Sequence, residues 1–178
     1  MHITATEEYG LRCLLRVAKH DSEEPMRAQE VAVAEGLSLE YAAKILRILK
    51  NGGFVASTRG AAGGYLLARP AEQISVWQVL ESLSGPLYEE KFCDSHTGSQ
   101  RDCIRTSNCS IRTLWRSVNG ILKAALSSVT LADLTRDEAS PSAWLLRSAI
   151  AADVARVEAF PRVAPIAESP RWDEEVTA

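Results

Sequence analysis

Residues 38–53 read SLEYAAKILRILKNGG and contain the start, the body and the end of one helix. Ser38 is a favourable N-cap, because its hydroxyl can accept a hydrogen bond from a backbone N–H of the first turn. Asn51-Gly52-Gly53 ends the helix. Apolar residues at helical spacing predict a buried stripe, made of Leu39, Ala42, Ala43, Leu46 and Leu49. The opposite side is polar and carries Glu40, Tyr41, Lys44 and Arg47.

The segments around this helix predict a helix-turn-helix followed by a β-hairpin. A first helix over about 3–19 starts with the capping-box pair Thr4 and Glu7. A second helix over about 27–35 stops at Gly36. After residue 53, the β-like runs 54–59 and 65–69 are separated by a glycine-rich turn, which predicts a hairpin. This order of elements is typical of a winged helix-turn-helix.

The second half of the chain changes in character. A helix over about 75–84 ends at Gly85-Pro86, and residues 87–109 are polar, contain cysteines and show no periodicity. An amphipathic helix is predicted over about 110–128, with an apolar face made of Ile111, Leu114, Trp115, Val118, Ile121, Leu122 and Ala125. A short piece over 130–134 follows. The Ala-, Pro-, Arg- and Glu-rich remainder is expected to be partly helical, around 142–158, or disordered.

We therefore predict a mainly α fold with a small β-hairpin. Its parts are a winged helix-turn-helix domain over 1–86, a cysteine-containing loop over 87–109, a long dimerisation helix with its cap over 110–134, and a tail over 135–178. The long helix presents more apolar surface than one small winged domain can cover, which predicts a homodimer.

Composition and charge exclude several classes of protein. No apolar run approaches the roughly 18–20 residues that span a bilayer, and the acidic N-terminus does not resemble a signal peptide. We expect a cytoplasmic protein without membrane contact. No nucleophile–base pair, metal-hydrolase motif or nucleotide loop indicates an enzyme. The net charge is −3, yet residues 38–70 hold five bases against one acid, a candidate phosphate-binding face.

The predicted DNA contacts lie on the helix over 39–51 and at the hairpin turn. The second helix of a helix-turn-helix enters the major groove with its N-terminal part. Arg59 stands beside Gly60 at the turn, where a guanidinium can enter a narrow minor groove. The predicted DNA-binding set is Gln29, Ser38, Tyr41, Lys44, Arg47, Arg59 and Gly60. A winged helix that binds protein remains the alternative.

Several motifs in this order closely resemble one family. They are Ile3-Thr4-x-x-x-Glu8-Tyr9-Gly10-Leu11, Leu37-Ser38-x-x-Tyr41, Leu49-Lys50-Asn51-Gly52-Gly53 and Arg59-Gly60-x-x-Gly63-Gly64-Tyr65-Leu66-Leu67. The chain resembles the IscR/NsrR/RirA family of bacterial regulators (Rrf-two type), and Leu114-Trp115 with residues 129–134 is similar to that family's dimerisation helix and its end. The resemblance covers residues 1–134. It implies a dimer that binds a double-stranded DNA operator.

Cys93, Cys103 and Cys109 lie within seventeen residues, just before the long helix. In a reducing cytosol, clustered cysteines are more often metal ligands or redox thiols than disulfides. Structural zinc sites use closer cysteine pairs than these, and iron–sulfur clusters usually need four ligands. Cys13, alone in the first helix, is interpreted as a small buried hydrophobe.

The resemblance implies an iron–sulfur cluster with three loop cysteines and a non-cysteine fourth ligand. NsrR-like members take an acidic residue of the first helix from the other subunit, at the position of Glu8. His96 is the rival fourth ligand, and water or a small thiol is a third alternative. We favour 4Fe–4S over 2Fe–2S, although the spacing between Cys93 and Cys103 is longer than is usual in the family.

The function that we predict is DNA-binding transcriptional regulation by a repressor. An iron–sulfur cluster that senses nitric oxide, redox or iron status would control its operator affinity. The alternative is a cluster-free winged-helix regulator that senses through thiols or a small ligand.

Overall fold

The computed structural model describes residues 3–20, 24–60, 63–86, 88–89, 91–99, 101–103 and 109–136. The helix predicted around 142–158 and the rest of the tail after residue 136 lie outside the described residues. The elements run in the order α1 (Ala5–Ala18), α2 (Ala28–Glu35), α3 (Leu39–Asn51), β1 (Val55–Ser57), β2 (Tyr65–Leu67), a 3₁₀ turn (Ala71–Gln73), α4 (Val76–Ser84), α5 (Phe92–Ser95), α6 (Ser110–Ser127) and α7 (Leu131–Thr135). The predicted mainly α fold with a small hairpin is confirmed.

The helix ends form as the sequence predicts. Thr4 and Glu7 make the reciprocal capping box, with 2.7 Å from Thr4 N to Glu7 Oε2 and 3.3 Å from Glu7 N to Thr4 Oγ1. Gly36 ends α2 with a φ of 67°, a conformation that favours glycine. The Ser38 hydroxyl accepts a hydrogen bond from the backbone N–H of Tyr41 at 3.2 Å. Gly36 and Ser38 thus form the turn between α2 and α3.

The hairpin is antiparallel and is attached to the segment before α2. Its register pairs Val55 with Leu67 and Ser57 with Tyr65. Tyr65 also pairs with Met26, through hydrogen bonds of 2.8 Å from Tyr65 N to Met26 O and 3.0 Å from Met26 N to Tyr65 O. The strands are shorter than the predicted runs 54–59 and 65–69. The contact with Met26 holds the hairpin beside the helix-turn-helix.

The hydrophobic core lies between α1, α3, α4 and the hairpin. Its largest fully buried side chains include Leu14, Ile45, Leu46, Leu49, Ile74 and Leu131. The prediction that Leu39 is buried is wrong, because its side chain is 42% exposed. Leu39 is the first residue of α3 and lies beyond the packed face, which is formed by Ala42, Ile45, Leu46 and Leu49 at helical spacing.

The chain returns from α6 to the winged domain through a short backbone bridge. Val76 N donates to Val129 O at 2.9 Å, and Leu131 N donates to Ile74 O at 2.8 Å. Leu131 inserts into the core. The end of α6 is therefore tied to the start of α4. Within the described ranges, no helix is long and apolar enough to cross a membrane.

The cysteine-containing segment holds one helical turn that the sequence pattern did not predict. α5 is a single turn, which is too short to show a hydrophobic period. The rings of Phe92 and His96 stack with centroids 3.8 Å apart, and Tyr88 lies 5.7 Å from Phe92. This aromatic contact organises the turn that carries Cys93.

Candidate DNA-binding surface and cysteine site

The polar side of α3 is open to solvent. Ser38, Lys44 and Arg47 are exposed, and so is Gln29 in the first turn of α2. Within the part of the chain that the structure describes, Lys44 and Arg47 form no ion pair. Their charges are available to a DNA phosphate or base edge.

Tyr41 is placed differently from its neighbours on α3. Its ring meets Tyr9 of α1 edge to face, with centroids 6.0 Å apart and an interplanar angle of 86°. Its hydroxyl lies 3.4 Å from Thr6 Oγ1. The side chain is half-buried. Tyr41 thus joins α1 to α3 and leaves only part of its surface available to DNA.

The hairpin turn presents Arg59 and Gly60, which are both exposed. Gly60 has a φ of 109°, which other residues rarely adopt. Backbone hydrogen bonds close the turn, from Gly63 N to Gly60 O at 2.9 Å and from Thr58 N to Gly64 O at 3.0 Å. Residues 61 and 62 lie outside the described part. The residues on either side of Arg59, Thr58 and Gly60, each take part in one of these backbone hydrogen bonds.

An ion-pair network holds α1 against the end of α2. Arg12 Nε lies 3.0 Å from Glu35 Oε2, and Arg16 Nε lies 2.8 Å from Glu35 Oε1. The hydrogen bond to Glu35 raises the pKa of Arg12. Glu8 is exposed on the same helix. The predicted partner-subunit ligand therefore lies on a helix that is fastened to the helix-turn-helix.

Cys93 and Cys103 line one cavity of about 390 Å³ with Arg112 and Arg116 of α6. The hydrogen bond with Cys93 is the largest cause of the raised pKa of Arg112. The Tyr88 hydroxyl lies 3.9 Å from Cys93 Sγ, and the pKa of Tyr88 is raised, first by burial and then by Cys93. The sequence analysis missed these two arginines. Their spacing of four residues on α6 would have placed them on one face.

Cys109 lies at the N-terminus of α6, where its Sγ accepts a hydrogen bond from Arg112 N at 3.4 Å. Among the described residues, no three His, Cys, Asp or Glu side chains are grouped as a metal site. The structure thus brings Cys93 and Cys103 to one cavity and places Cys109 at the start of the adjoining helix. His96 is exposed, with Nδ1 2.8 Å from Phe92 O.

An exposed helix after a capped turn, followed by a hairpin with a cation at its turn, defines the winged-helix class of DNA-binding regulators. Residues 3–137 match the family model of Rrf2, described as an iron-dependent transcriptional regulator. The chain belongs to the Rrf2 family. The predicted family is confirmed, and with it the prediction of a transcription regulator rather than an enzyme.

Three similar proteins agree with this assignment. Protein rrf2 of Nitratidesulfovibrio vulgaris is 38% identical over 140 residues, which cover 77% of this chain and 89% of the relative. The structure of CymR, the global cysteine regulator of B. subtilis, has 29% identity and a TM-score of 0.59, covering 76% of this chain and 96% of CymR. The structure of T. potens IscR has 28% identity and a TM-score of 0.58, covering 75% of this chain and 85% of IscR.

Proposed function

We propose that this Rrf2-family regulator is a homodimeric repressor, acting on DNA in the cytoplasm, whose operator affinity is controlled by an iron–sulfur cluster on its cysteine loop. The observation that carries the proposal is the shared cavity of Cys93 and Cys103 against Arg112 and Arg116. These arginines belong to α6, the predicted dimerisation helix. A chemical change at the thiols would act directly on that helix.

The dimer is supported by the uncovered apolar side of α6. Ile111, Leu114, Trp115 and Ile121 are between 45% and 57% exposed. α6 has no buried residue in the described chain. Contiguous exposed apolar surface on a folded protein typically marks an interface. A second copy that packs its own α6 against this face would cover it with two-fold symmetry.

DNA binding would place α3 in the major groove and Arg59 at the adjacent minor groove. Lys44 and Arg47 supply exposed positive charge on α3, and Ser38 stands at its N-terminus. Gln29 and Tyr41 flank this surface, and Gly60 lets the turn approach the sugar–phosphate backbone closely. In a dimer, two such surfaces would contact two half-sites about 34–36 Å apart.

The cysteine site fits a cluster in its chemistry. Cys93, Cys103 and Cys109 would supply thiolates, which are soft ligands suited to iron–sulfur centres. Arg112 and Arg116 would offset their negative charge. Glu8 of the second subunit would be the fourth ligand, and we favour it over His96. We favour a 4Fe–4S cluster over a 2Fe–2S cluster. Nitric oxide or oxidants would damage such a cluster, and iron shortage would prevent its assembly.

One observation favours a second candidate, a cluster-free thiol sensor. Cys93 forms a side-chain hydrogen bond with the guanidinium of Arg112. Cys103 lines the same cavity. The similarity to CymR, described as a global cysteine regulator, agrees with this candidate.

Operator binding measured without oxygen tests the proposal. DNA fragments selected by the full-length protein from its own genome serve as probes, and affinity is measured before and after a nitric oxide donor. We expect loss of affinity in the wild type and no response in Cys93→Ala and Cys109→Ala. Cys13→Ala is the matched control, because that thiol lies in the core. An unchanged response in both loop variants would contradict a cysteine-loop sensor.

A further inference from the structure

One acidic residue, Glu40, lies on the side of α3 that carries its exposed bases. Glu40 belongs to the first turn of α3, and its side chain is exposed. Arg47 follows seven residues later, which is nearly two helical turns, so both side chains lie along one side of the helix. Lys44, one turn after Glu40, lies on the same side, opposite the four buried residues of α3. Glu40 is the one acid among residues 38–70, against five bases.

The Glu40 carboxylate has no partner within the part of the chain that the structure describes. Lys44 stands at the spacing that favours a Glu–Lys pair on a helix surface, yet the two side chains form no ion pair. The N-cap of α3 is made by the Ser38 hydroxyl and does not involve Glu40. The carboxylate is therefore free to contact a molecule that binds to this side of α3.

A carboxylate in the major groove is selective about the base that it can face. DNA phosphates repel its negative charge, so it needs a hydrogen-bond donor. Guanine presents two acceptors at its major-groove edge, and thymine presents an acceptor and a methyl group. Adenine places its amino donor beside the N7 acceptor, which repels a carboxylate. Cytosine presents the N4 amino donor without a neighbouring acceptor of its own, and it is the base that glutamate prefers.

We propose that Glu40 is a specificity-determining residue, whose carboxylate accepts a hydrogen bond from the N4 amino group of one cytosine in each operator half-site. This role rests on the proposed placement of α3 in the major groove, where the N-terminal part of the helix contacts base edges. Lys44 and Arg47 on the same side of α3 would contact phosphates or guanine and offset the negative charge. The bases would supply affinity, and the acid would select the base pair.

Anaerobic fluorescence anisotropy with the full-length protein tests this role, using a genomically selected operator and all of its single-base-pair variants. For the wild type we expect one position in each half-site where C·G binds about tenfold more tightly than the other base pairs. Glu40→Ala should lose this preference, keep the others, and bind random DNA at least as tightly as the wild type, because a negative charge is removed. Glu81→Gln is the matched control, because it neutralises an exposed acid on α4. Circular dichroism confirms that each variant is folded.

An unchanged order of base preference at every position in folded Glu40→Ala would overturn this role, even if the overall affinity changed. An acid in the first turn also stabilises a helix through its dipole, and a residue with that role alone would leave base preference unchanged. A wild-type protein that selects an operator but shows no preference for C·G at any position would overturn it as well. Failure of the wild type to select any DNA sequence would contradict operator recognition as a whole, so the two failures are distinguishable.

Discussion

The Cys109 thiol accepts a hydrogen bond from the backbone N–H of Arg112 at 3.4 Å and so caps the first turn of α6. Arg112 in turn contacts Cys93. One arginine therefore joins two of the three loop cysteines to the helix whose apolar side is exposed. Ligation or oxidation of either thiol would change contacts at the start of that helix.

Substitution of Cys109 separates its role as a cap from its role as a ligand. Cys109→Ser keeps an acceptor at the N-cap, whereas Cys109→Ala removes it. Loss of an N-cap costs about 1 kcal/mol, so we expect the alanine variant to be less stable than the serine variant by roughly that amount. Urea unfolding of the iron-free protein measures the difference. Equal stability of the two variants would show that the cap contributes nothing.

Arg59 and Lys50 provide a matched pair of DNA-contact variants. Both are exposed, but Arg59 lies at the hairpin turn and Lys50 near the end of α3. We expect Arg59→Ala to weaken specific operator binding about tenfold and Lys50→Ala to weaken it less. Fluorescence anisotropy with operator and random DNA measures both. Equal losses in the two variants would mean that Arg59 is only a phosphate contact.

Because the Cys13 thiol is buried, we expect the free energy of unfolding to depend on pH in alkaline solution. Burial raises the pKa of this thiol from 9.0 to about 11, so the folded state favours the neutral form. Its contribution to stability is complete below about pH 9 and is lost as the pH rises towards 11. We expect the wild type to lose up to about 2 kcal/mol more than Cys13→Ala across this window. Urea midpoints on both sides of it give the comparison, and parallel pH profiles would rule out a buried titrating thiol.

Charged substitutions on the exposed apolar side of α6 are expected to disrupt the dimer. Leu114→Glu combined with Ile121→Glu places two carboxylates on the apolar face, and we expect it to give monomers in light scattering. Ser117→Glu is the control, because Ser117 is an exposed polar residue of the same helix. A monomeric wild type would contradict the proposed dimer and also Glu8 as a ligand from the partner subunit.

The helix-turn-helix was predictable because its signals are local. Thr4 with Glu7, Gly36 and Ser38 act within one turn of the helix that they cap, and each forms the predicted contact. The burial of α3 was less predictable, because it depends on where the other helices lie. Periodicity alone does not show that Leu39 extends past the core.

The candidate cysteine site was likewise only partly predictable from the sequence. The cysteines are visible in the sequence, but the cavity shared by Cys93 and Cys103 and its two arginines depends on how the loop packs against α6. The contact of Tyr41 with Tyr9 joins residues on different helices, and helical spacing on α3 cannot reveal it. Local pattern therefore identified the reactive groups, and tertiary contacts determine their surroundings.

Iron and acid-labile sulfide in anaerobically purified full-length protein test the cluster most directly. We predict that the wild type and Cys13→Ala contain both, with visible absorption from thiolate-to-iron charge transfer, and that Cys93→Ala loses both. Wild-type protein that carries neither iron nor sulfide while Cys93, Cys103 and Cys109 remain free thiols would contradict the cluster and favour direct thiol sensing.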